Sequence, residues 1–298
     1  MDTLATRPLL VHHMANRGHH HPPNSQSALR YCLEAGARVV EVDINALRDG
    51  DFLLLHDDEL DGTTDGQGRV GDITAEEARS LHYRWPRAPG EPLALLSEAL
   101  SLVRGYPHFQ ELQLDLKVSP ALTTLTLQRL VHRLQPVRPV VRVTSGADWA
   151  LRQLQAWDSE LPLGFDPLLY LEIEDPGQGI PPQRRGAYGY WDDHPLAVRR
   201  WGATADYLAA RAEALWVQAP AGAVWYIRGA LLARALEDGF DWIAFLHARS
   251  ALVDAWTLDV DEPGHLELAR RLVAAGVDRI TTNDAPRLAE ALGGGALL

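Results

Sequence analysis

Short apolar runs alternate with longer amphipathic stretches along the whole chain. The runs have the length and residue content of buried strands, and the stretches have the 3.6-residue spacing of helices. Strands are predicted at Leu9–Met14, Val39–Ala46, Glu111–Lys117, Val140–Thr144, Leu161–Asp166, Ala214–Gln218, Leu252–Leu258 and Asp278–Thr282. Helices are predicted at Ser25–Ala35, Leu95–Arg104, Ala121–Leu134, Asp148–Trp157, His194–Glu213, Ala223–Ala248 and Gly264–Ala275.

This alternation of strand and helix predicts a parallel sheet. Eight strands over 298 residues is the number expected of a (β/α)8 TIM barrel, an α/β fold. The competing doubly wound sheet usually has fewer strands and a glycine-rich phosphate turn, which we do not find. Gly36 and Gly276 stand where the C-caps of two predicted helices belong.

Two loop-rich stretches interrupt the alternation. Phe52–His56 is a strand-like run after the turn signal Asp49-Gly50, and we expect it to form a hairpin with the second strand. Residues 57–92 are then expected to form an insertion over one end of the barrel, within a single domain of residues 1–298. Residues 172–193 are rich in Pro, Gly and Arg and are predicted to form a loop excursion.

Composition narrows the classes of function. Apolar residues make up 46% of the chain, enough for a substantial core, and the net charge is −12. Such an acidic surface repels nucleic-acid phosphates at long range, so we expect no nucleic-acid partner. No stretch approaches about 20 apolar residues, so no stable membrane insertion is expected. Cys32 is the only cysteine, and no signal-peptide pattern opens the chain, which together favour the cytoplasm.

Two acidic residues lie inside one of the most apolar predicted strands. Glu41 and Asp43 are two residues apart and therefore share one face of that strand. Two buried carboxylates are costly unless a positive charge lies between them, and a divalent cation is the obvious candidate. Asp115, near the end of the third strand, would add a third carboxylate. Oxygen donors without cysteine favour one Mg²⁺ or Ca²⁺ ion.

Histidines and a lysine are expected at the same mouth of the barrel, because the C-terminal ends of parallel strands converge there. His13 ends the first predicted strand, His56 follows the second, and Lys117 ends the third. Two imidazoles can supply an acid and a base, and an ammonium group suits an anionic oxygen. This combination favours phosphoryl chemistry over acyl transfer.

In order and spacing, these residues resemble the glycerophosphodiester phosphodiesterases. The matching positions are His13, Asn24-Ser25, Glu41-Val42-Asp43, His56-Asp57, Thr63-Thr64-Asp65-Gly66, Asp115-Leu116-Lys117, Trp256-Thr257 and Thr282-Asn283-Asp284. The resemblance implies a metal-dependent TIM barrel that cleaves glycerophosphodiesters to glycerol 3-phosphate and an alcohol. The site residues that it implies are the acid–base pair His13 and His56, the metal ligands Glu41, Asp43 and Asp115, and the phosphate contact Lys117.

The start of the chain allows two alignments to that family. Its members usually open with His-Arg-Gly, whereas this chain has His13-Met-Ala-Asn16-Arg17-Gly18. Aligning Asn16 to the motif histidine would replace the catalytic residue with asparagine, whereas the spacing to Glu41 favours His13. The pattern His13-Met14-x-Asn16 is also similar to the sphingomyelinase D and phospholipase D toxins. That similarity keeps open the cleavage of lysophospholipid or sphingolipid head groups, through a cyclic phosphate.

Three further residues are candidates for substrate contact. Asn16 and Arg17 lie near the predicted mouth, and Trp256 lies in the seventh predicted strand. An arginine suits bidentate contact with phosphate and a tryptophan would wall the pocket, while rim and core packing are the alternatives. The tract His19-His20-His21 is expected to be a rim loop and not a metal site.

The expected function is a phosphodiesterase that acts on a small phosphodiester or a lysolipid. A catalytically silent barrel that binds phosphodiesters is the alternative from another class. Met14 and Pro23 favour that alternative, because they stand where the family has an arginine and a glutamate. The histidines and the acidic set argue against it.

Overall fold

The structure is a computed structural model that describes residues 7–118, 122–173 and 202–294. Its strands are β1 Leu9–His12, β2 Val39–Ala46, β3 Phe52–Leu53, β4 Glu111–Leu116, β5 Val141–Ser145, β6 Leu163–Phe165, β7 Val224–Arg228, β8 Val253–Trp256 and β9 Arg279–Thr282. Its helices are α1 Gln26–Glu34, α2 Ala75–Ala78, α3 Leu96–Val103, α4 Thr124–Leu134, α5 Asp148–Trp157, α6 Thr204–Gln218, α7 Gly229–Glu237, α8 Trp242–His247, α9 His265–Ala274 and α10 Ala285–Ala291.

The strands close into a (β/α)8 barrel, which confirms the predicted fold class. Along the order β1-β9-β8-β7-β6-β5-β4-β2 every pairing is parallel. A further parallel pairing of β1 with β2 joins the two ends of this sheet. The short strand β3 lies outside the ring and pairs antiparallel with the end of β2, so that Asn45 is opposite Leu53. The hairpin predicted after Asp49-Gly50 is therefore present.

The interior of the barrel is polar, although the interior of a TIM barrel is more often filled by branched apolar side chains. In β2 the residues Val40, Val42 and Ile44 belong to the core that the barrel shares with its helices, so the alternate residues point inward. The same alternation turns a polar set inward from the other strands. The set comprises Glu111, Gln113, Asp115, Arg142, Thr144, Tyr226, Asp254, Arg279 and Thr281.

Ion pairs close the N-terminal end of the barrel. Glu111, the first residue of β4, accepts hydrogen bonds from Arg142 at 2.8 Å and from Arg279 at 2.6 Å. Thr281 donates a hydrogen bond to Asp254 at 2.8 Å. Burial raises the pKa of Asp254 to about 7, and Arg279 and Thr281 only partly counteract it. The charges at this end of the barrel therefore largely compensate one another. We call this end, opposite the predicted mouth, the floor of the barrel.

The predicted strand at Ala214–Gln218 is wrong, because these residues form the last turns of α6. Leu208, Ala212 and Leu215 in that helix are buried at helical spacing, and alanine has the highest helix propensity. The strand of the barrel lies instead at Val224–Arg228, the start of the helix predicted at 223–248. Its β-branched and aromatic residues favour a strand over a helix.

The remainder of that predicted helix is two helices, α7 and α8. Gly239 separates them with a φ of 90°, a left-handed conformation that glycine adopts without strain. The other predicted elements lie at the observed positions with ends shifted by a few residues. Gly36 and Gly276 follow α1 and α9 with positive φ, as the C-cap prediction requires. The loop predicted at residues 172–193 lies outside the described residues from 174 onward, as do residues 194–201 of the helix predicted at His194–Glu213.

The segment between β3 and α3 packs beside the C-terminal end of β2. It contains α2 and a 3-10 turn at Val70–Asp72. Leu60, Val70 and Tyr83 of this segment form a small buried cluster with Leu53 and Leu55. The cluster holds the segment against the barrel at the end where the candidate site residues lie. In the described parts of the chain, no helix has both the length and the apolar character to cross a membrane.

Candidate active site

Three carboxylates meet at the C-terminal end of β2 and β4. The register of these strands places Asp43 directly beside Asp115, and Glu41 lies one inward-facing position below Asp43. One oxygen of each of these three residues lies within 4.8 Å of the others. Glu41 and Asp43 are 3% and 1% exposed, so both are removed from water. The convergence predicted from the sequence is therefore present.

Lys117 lies against this carboxylate cluster. Its Nζ is 2.7 Å from Asp43 Oδ1 and 2.6 Å from Asp115 Oδ2. Burial by itself would lower the pKa of Lys117, but Asp115 and Asp43 outweigh burial and raise it. Burial would likewise raise the pKa of Asp43, but Lys117 and the two histidines His56 and His13 lower it to about 2. Two carboxylates of the cluster therefore share one ammonium group.

Glu41 lacks such a partner. Burial raises its pKa well above the usual range, and the neighbouring charges of Asp43 and Asp115 raise it further. The backbone N–H of Met14 donates to Glu41 Oε2 at 2.6 Å, which is too little to compensate. Two buried carboxylates and the partly exposed Asp115, with one ammonium group among them, leave this cluster short of positive charge.

The carboxylate cluster fits a hard divalent cation. Its donors are all oxygens, which Mg²⁺ and Ca²⁺ prefer. A cation with ligand distances of about 2.1–2.5 Å separates its ligand oxygens by about 3–5 Å. The separation of up to 4.8 Å among Glu41, Asp43 and Asp115 lies in that range. Because the pKa of Glu41 is raised when no cation is bound, binding of a cation would favour release of a proton from this group.

His13 faces the cluster in a defined tautomer. Asn283 donates from its side chain to Asp259 Oδ2 and from its backbone to Oδ1, both at 2.7 Å. Because a carboxylate only accepts, the amide oxygen of Asn283 must face His13, whose Nδ1 is 3.0 Å away and therefore carries the proton. Nε2 of His13 lies 4.0 Å from Glu41 Oε2 and keeps a free lone pair.

The backbone around His13 is held in unusual conformations. The sequence predicted His13 at the end of the first strand, but β1 ends one residue earlier, at His12. His13 instead begins a 3-10 turn that covers His13–Ala15. Met14 and Ala15 have φ of 51° and 55°, which costs a non-glycine residue roughly 1–3 kcal/mol. The turn directs the N–H of Met14 to Glu41. The carbonyl of Met14 accepts a hydrogen bond from the N–H of Asn24 at 2.7 Å.

Asn24 holds the oxygen of Asp43 that Lys117 does not contact. Its Nδ2 donates to Asp43 Oδ2 at 2.8 Å, and its Oδ1 accepts from the backbone N–H of Asp43 at 2.9 Å. Its φ of 63° is left-handed, which asparagine tolerates better than most residues. Asn24 then leads into α1, where Ser25 caps the helix by accepting from Ala28.

His56 follows the β2–β3 hairpin and is 57% exposed in its side chain. Its Nδ1 is 2.9 Å from Asp57 Oδ1. The buried side chain of Asn45 donates to the carbonyls of Leu55 at 2.7 Å and of Asp57 at 3.1 Å, which holds His56 between them. After Lys117, His56 is one of the groups that lower the pKa of Asp43, so this imidazole also lies within electrostatic reach of the cluster.

The other three sequence candidates make no recorded hydrogen bond or ion pair with the cluster in the described residues. Asn16 is 3% exposed and turns toward His19, accepting from its backbone N–H at 2.9 Å. Arg17 is half-buried. Burial raises the pKa of Cys32 to about 12 and Arg17 only partly counteracts it, whereas burial lowers the pKa of His12 to about 4 and Arg17 lowers it further. Trp256 is half-buried at the end of β8.

Sequence reasoning missed the residues that hold the site together. Asn45 and Asp259 carry no motif of their own, and Asn24 and Asn283 were matched as positions without a role. Each acts through a partner distant in sequence, since Asn283 is 270 residues from His13. The only local signal is asparagine at the left-handed position 24.

A family model matches the part of the chain that carries most of these residues, and curated relatives match about a third of the chain. The model of the glycerophosphoryl diester phosphodiesterase family matches residues 17–120. Glycerophosphodiester phosphodiesterase 1 of Mus musculus is 39% identical over 95 residues, 30% of this chain and 29% of the mouse protein. A glycerophosphodiester phosphodiesterase of Caldanaerobacter subterraneus is 37% identical over 85 residues, 28% of this chain and 35% of that protein. The predicted resemblance to this family is confirmed for residues 17–120.

These matches are partial. The chain spans 29% of the length of the mouse relative. The family model begins at Arg17, so His13 lies outside the matched residues and the two alignments of the first motif are not distinguished. The geometry bears on that choice, because Nε2 of His13 faces Glu41 whereas the side chain of Asn16 faces His19.

Solved structures share the whole fold. A phosphodiesterase of Oleispira antarctica, in complex with the product sn-glycerol-3-phosphate, superposes with a TM-score of 0.67. It is 20% identical, and the comparison covers 96% of this chain and 97% of that chain. A glycerophosphodiester phosphodiesterase of Thermotoga maritima gives a TM-score of 0.62 at 15% identity, over 95% of this chain and 97% of that chain. At these identities the likeness shows a common fold.

Proposed function

We propose that this chain, whose residues 17–120 match the glycerophosphoryl diester phosphodiesterase family, is a metal-dependent phosphodiesterase that cleaves glycerophosphodiesters to glycerol 3-phosphate and an alcohol. One observation carries the proposal: three convergent carboxylates, short of positive charge, lie at the mouth of a barrel within electrostatic reach of two imidazoles. The product bound to the Oleispira antarctica enzyme, which shares the fold, is the product that this reaction requires.

Glu41, Asp43 and Asp115 would hold the divalent cation, Mg²⁺ or Ca²⁺. When bound, the cation supplies positive charge next to a phosphate oxygen of the substrate. Two of the ligands are held in place before a cation binds. Asn24 and Lys117 fix Asp43, and the N–H of Met14 fixes Glu41.

His13 suits the role of general base. The relay through Asn283 and Asp259 keeps the proton on Nδ1, so Nε2 can accept a proton from the attacking hydroxyl or water. Asp259 also accepts from Thr282 Oγ1 at 3.0 Å and stays fixed while the charge on the imidazole changes. The relay therefore stabilises the imidazolium that forms.

His56 suits the role of general acid. The carboxylate of Asp57 accepts from Nδ1 at 2.9 Å and so fixes the orientation of the ring, whose Nε2–H, when present, can be given to the leaving oxygen. Because the side chain is more than half exposed, bulk water can restore the proton after each turnover. Lys117 would contact a phosphate oxygen of the substrate. Whether water or a neighbouring substrate hydroxyl attacks decides between a linear and a cyclic product.

The test is an activity assay that follows products by phosphorus NMR. Glycerophosphocholine and glycerophosphoethanolamine are incubated with the protein in Mg²⁺, in Ca²⁺ and in chelator. We expect turnover to glycerol 3-phosphate that the chelator abolishes. His13→Ala and His56→Ala should each lose at least about 100-fold in kcat, in line with the contribution of an acid or base. The control is His132→Ala, on the exposed face of α4, which should retain activity.

Two results would contradict the proposal. The first is a wild-type protein that hydrolyses neither diester in either cation, which would favour the catalytically silent barrel. The second is full activity in both histidine variants, which would remove the acid–base assignment. The cytoplasmic location that the single cysteine suggests stays a prediction.

A further inference from the structure

An apolar groove of about 340 Å³ opens beside His56. Its walls include Met14, Pro22 and Pro23 from the segment between β1 and α1, and Leu55, Tyr83 and Trp85 from the segment between β3 and α3. The carboxylate cluster and the two histidines do not need this groove for any step described above.

The groove is continuous with the catalytic machinery. His56 lines it, as do Met14, whose N–H binds Glu41, and Asn24, whose side chain binds Asp43. A phosphodiester with its phosphorus at the carboxylate cluster therefore has one substituent at the entrance of the groove.

Hydrogen bonds make the walls rigid. The hydroxyl of Tyr83 lies 2.8 Å from the carbonyl of Leu54 and 3.1 Å from that of Asn24. This buried tyrosine joins the two segments that form opposite walls. A groove of this kind is largely preformed, so an occupant does not have to order it.

The charged groups at the edge are engaged with protein partners. Asp57 pairs with His56 at 2.9 Å, and Arg84 Nη1 donates to the carbonyl of Asp61 at 2.8 Å. A cationic head group or a sugar would therefore exchange water for mainly apolar walls. An alkyl chain gains by the same exchange, because it leaves water for apolar surface.

We propose that this groove binds an alkyl chain of the phosphodiester substrate. The inference rests on the proposed function. The chain can belong to the leaving alcohol or to an acyl group on the glycerol, and both present the same methylene surface. The groove volume lies at the lower end of the range for small-molecule sites, which suits one short chain.

The experiment measures kcat/KM along two substrate series, below the critical micelle concentration. One series holds methyl, butyl and octyl esters of glycerol 3-phosphate, and the other holds acetyl, butanoyl and octanoyl lysophosphatidylcholine. In one of the two series kcat/KM should rise with chain length, by up to about fourfold per methylene until the groove is full. The series that rises identifies which side of the phosphate carries the chain.

Substitutions then locate the effect. Trp85→Ser should flatten the rise with chain length, and Trp85→Phe should restore most of it. The matched control is Trp157→Ser, because Trp157 is 39% exposed at the end of α5, away from the groove. A rise that persists in Trp85→Ser, or no rise in either series, would overturn the proposal.

A second measurement separates this inference from the proposed function. If no ester in either series is hydrolysed, the proposed function fails, and octyl phosphate and methyl phosphate are titrated calorimetrically into the same proteins. Tighter binding of octyl phosphate, with a negative heat-capacity change that Trp85→Ser abolishes, would support the groove as an alkyl site. Equal binding of the two phosphates would overturn it.

Discussion

Lys117 is the only lysine among the 28 basic Lys and Arg residues of the chain, and its removal should have a large effect that a divalent cation reverses. Its Nζ contacts Asp43 at 2.7 Å and Asp115 at 2.6 Å, while the side chain of Lys117 is 23% exposed and that of Asp43 is 2% exposed. Lys117→Met leaves three carboxylates without any ammonium group.

Breaking a buried ion pair by removal of one partner costs about 3–5 kcal/mol. At about 2 °C per kcal/mol for a chain of this size, the cation-free variant should melt roughly 6–10 °C below the wild type. A divalent cation supplies the missing charge, so it should raise the melting temperature of Lys117→Met more than that of the wild type. Lys117→Arg keeps the charge and should lose less stability, but its planar guanidinium is larger than an ammonium group and should lower kcat.

Differential scanning calorimetry in chelator and in Mg²⁺ or Ca²⁺ measures these shifts. The control is Arg48→Met, which removes an exposed ion pair with side chains 59% and 54% exposed and should cost at most about 1 kcal/mol. A Lys117→Met protein that melts within 2 °C of the wild type in chelator, or that gains no more from the cation than the wild type, would refute the charge argument.

Three further predictions concern the relay, the cluster and the floor of the barrel. Asn283→Ala removes the group that orients His13, so kcat should fall about 10–100-fold with little change in KM, and steady-state kinetics that match the wild type would contradict the relay. Glu41→Gln should keep the cation-free melting temperature, because the raised pKa of Glu41 favours the neutral form that glutamine resembles, but should weaken Mg²⁺ or Ca²⁺ binding by at least tenfold in calorimetry. The pKa of Asp254 is about 7 in the folded protein against 3.8 as the reference value, so its contribution to stability is present below pH 4 and is lost as pH rises through 7. Asp254→Asn should therefore raise the melting temperature relative to wild type at pH 8.5 more than at pH 5.5, and an equal change at both would show that Asp254 is ionised throughout.

Most of the barrel strands were predictable because each is a short run in which residues facing the helices alternate with residues facing the barrel interior. In β2 the alternation of Val40, Glu41, Val42 and Asp43 encodes both faces, one toward the helices and one toward the barrel interior. The error at α6 and β7 has a different origin. Leu215, Trp216 and Val217 form an apolar run in α6, but Val217 is 82% exposed, which no strand of a closed barrel would allow. An apolar run of this length fits a helix segment as well as a strand, so the sequence pattern did not distinguish the two.

The candidate site was predictable as far as strand ends determine it. Glu41, Asp43 and Asp115 follow from the parallel register of β2 and β4, since residues that end neighbouring strands must meet. The tautomer of His13 does not follow, because it depends on Asn283 and Asp259 in the last quarter of the chain. These hydrogen bonds depend on the conformations of the loops at the end of the barrel, and the spacing of residues in the sequence does not predict them.

The polar interior bears on where the positive charge for the proposed cation site would come from. At the floor, Glu111 lies between Arg142 and Arg279, and the raised pKa of Asp254 favours its neutral form in mildly acidic solution. The charges of the floor therefore compensate one another, and the floor supplies no net positive charge to the mouth. At the mouth, Lys117 is already shared by Asp43 and Asp115, and burial raises the pKa of Glu41, so a proton and a bound cation would compete to neutralise Glu41. Competition between these two makes the proposed activity depend on pH through the cation, and a higher Mg²⁺ or Ca²⁺ concentration should shift the acidic limb of the pH profile to lower pH.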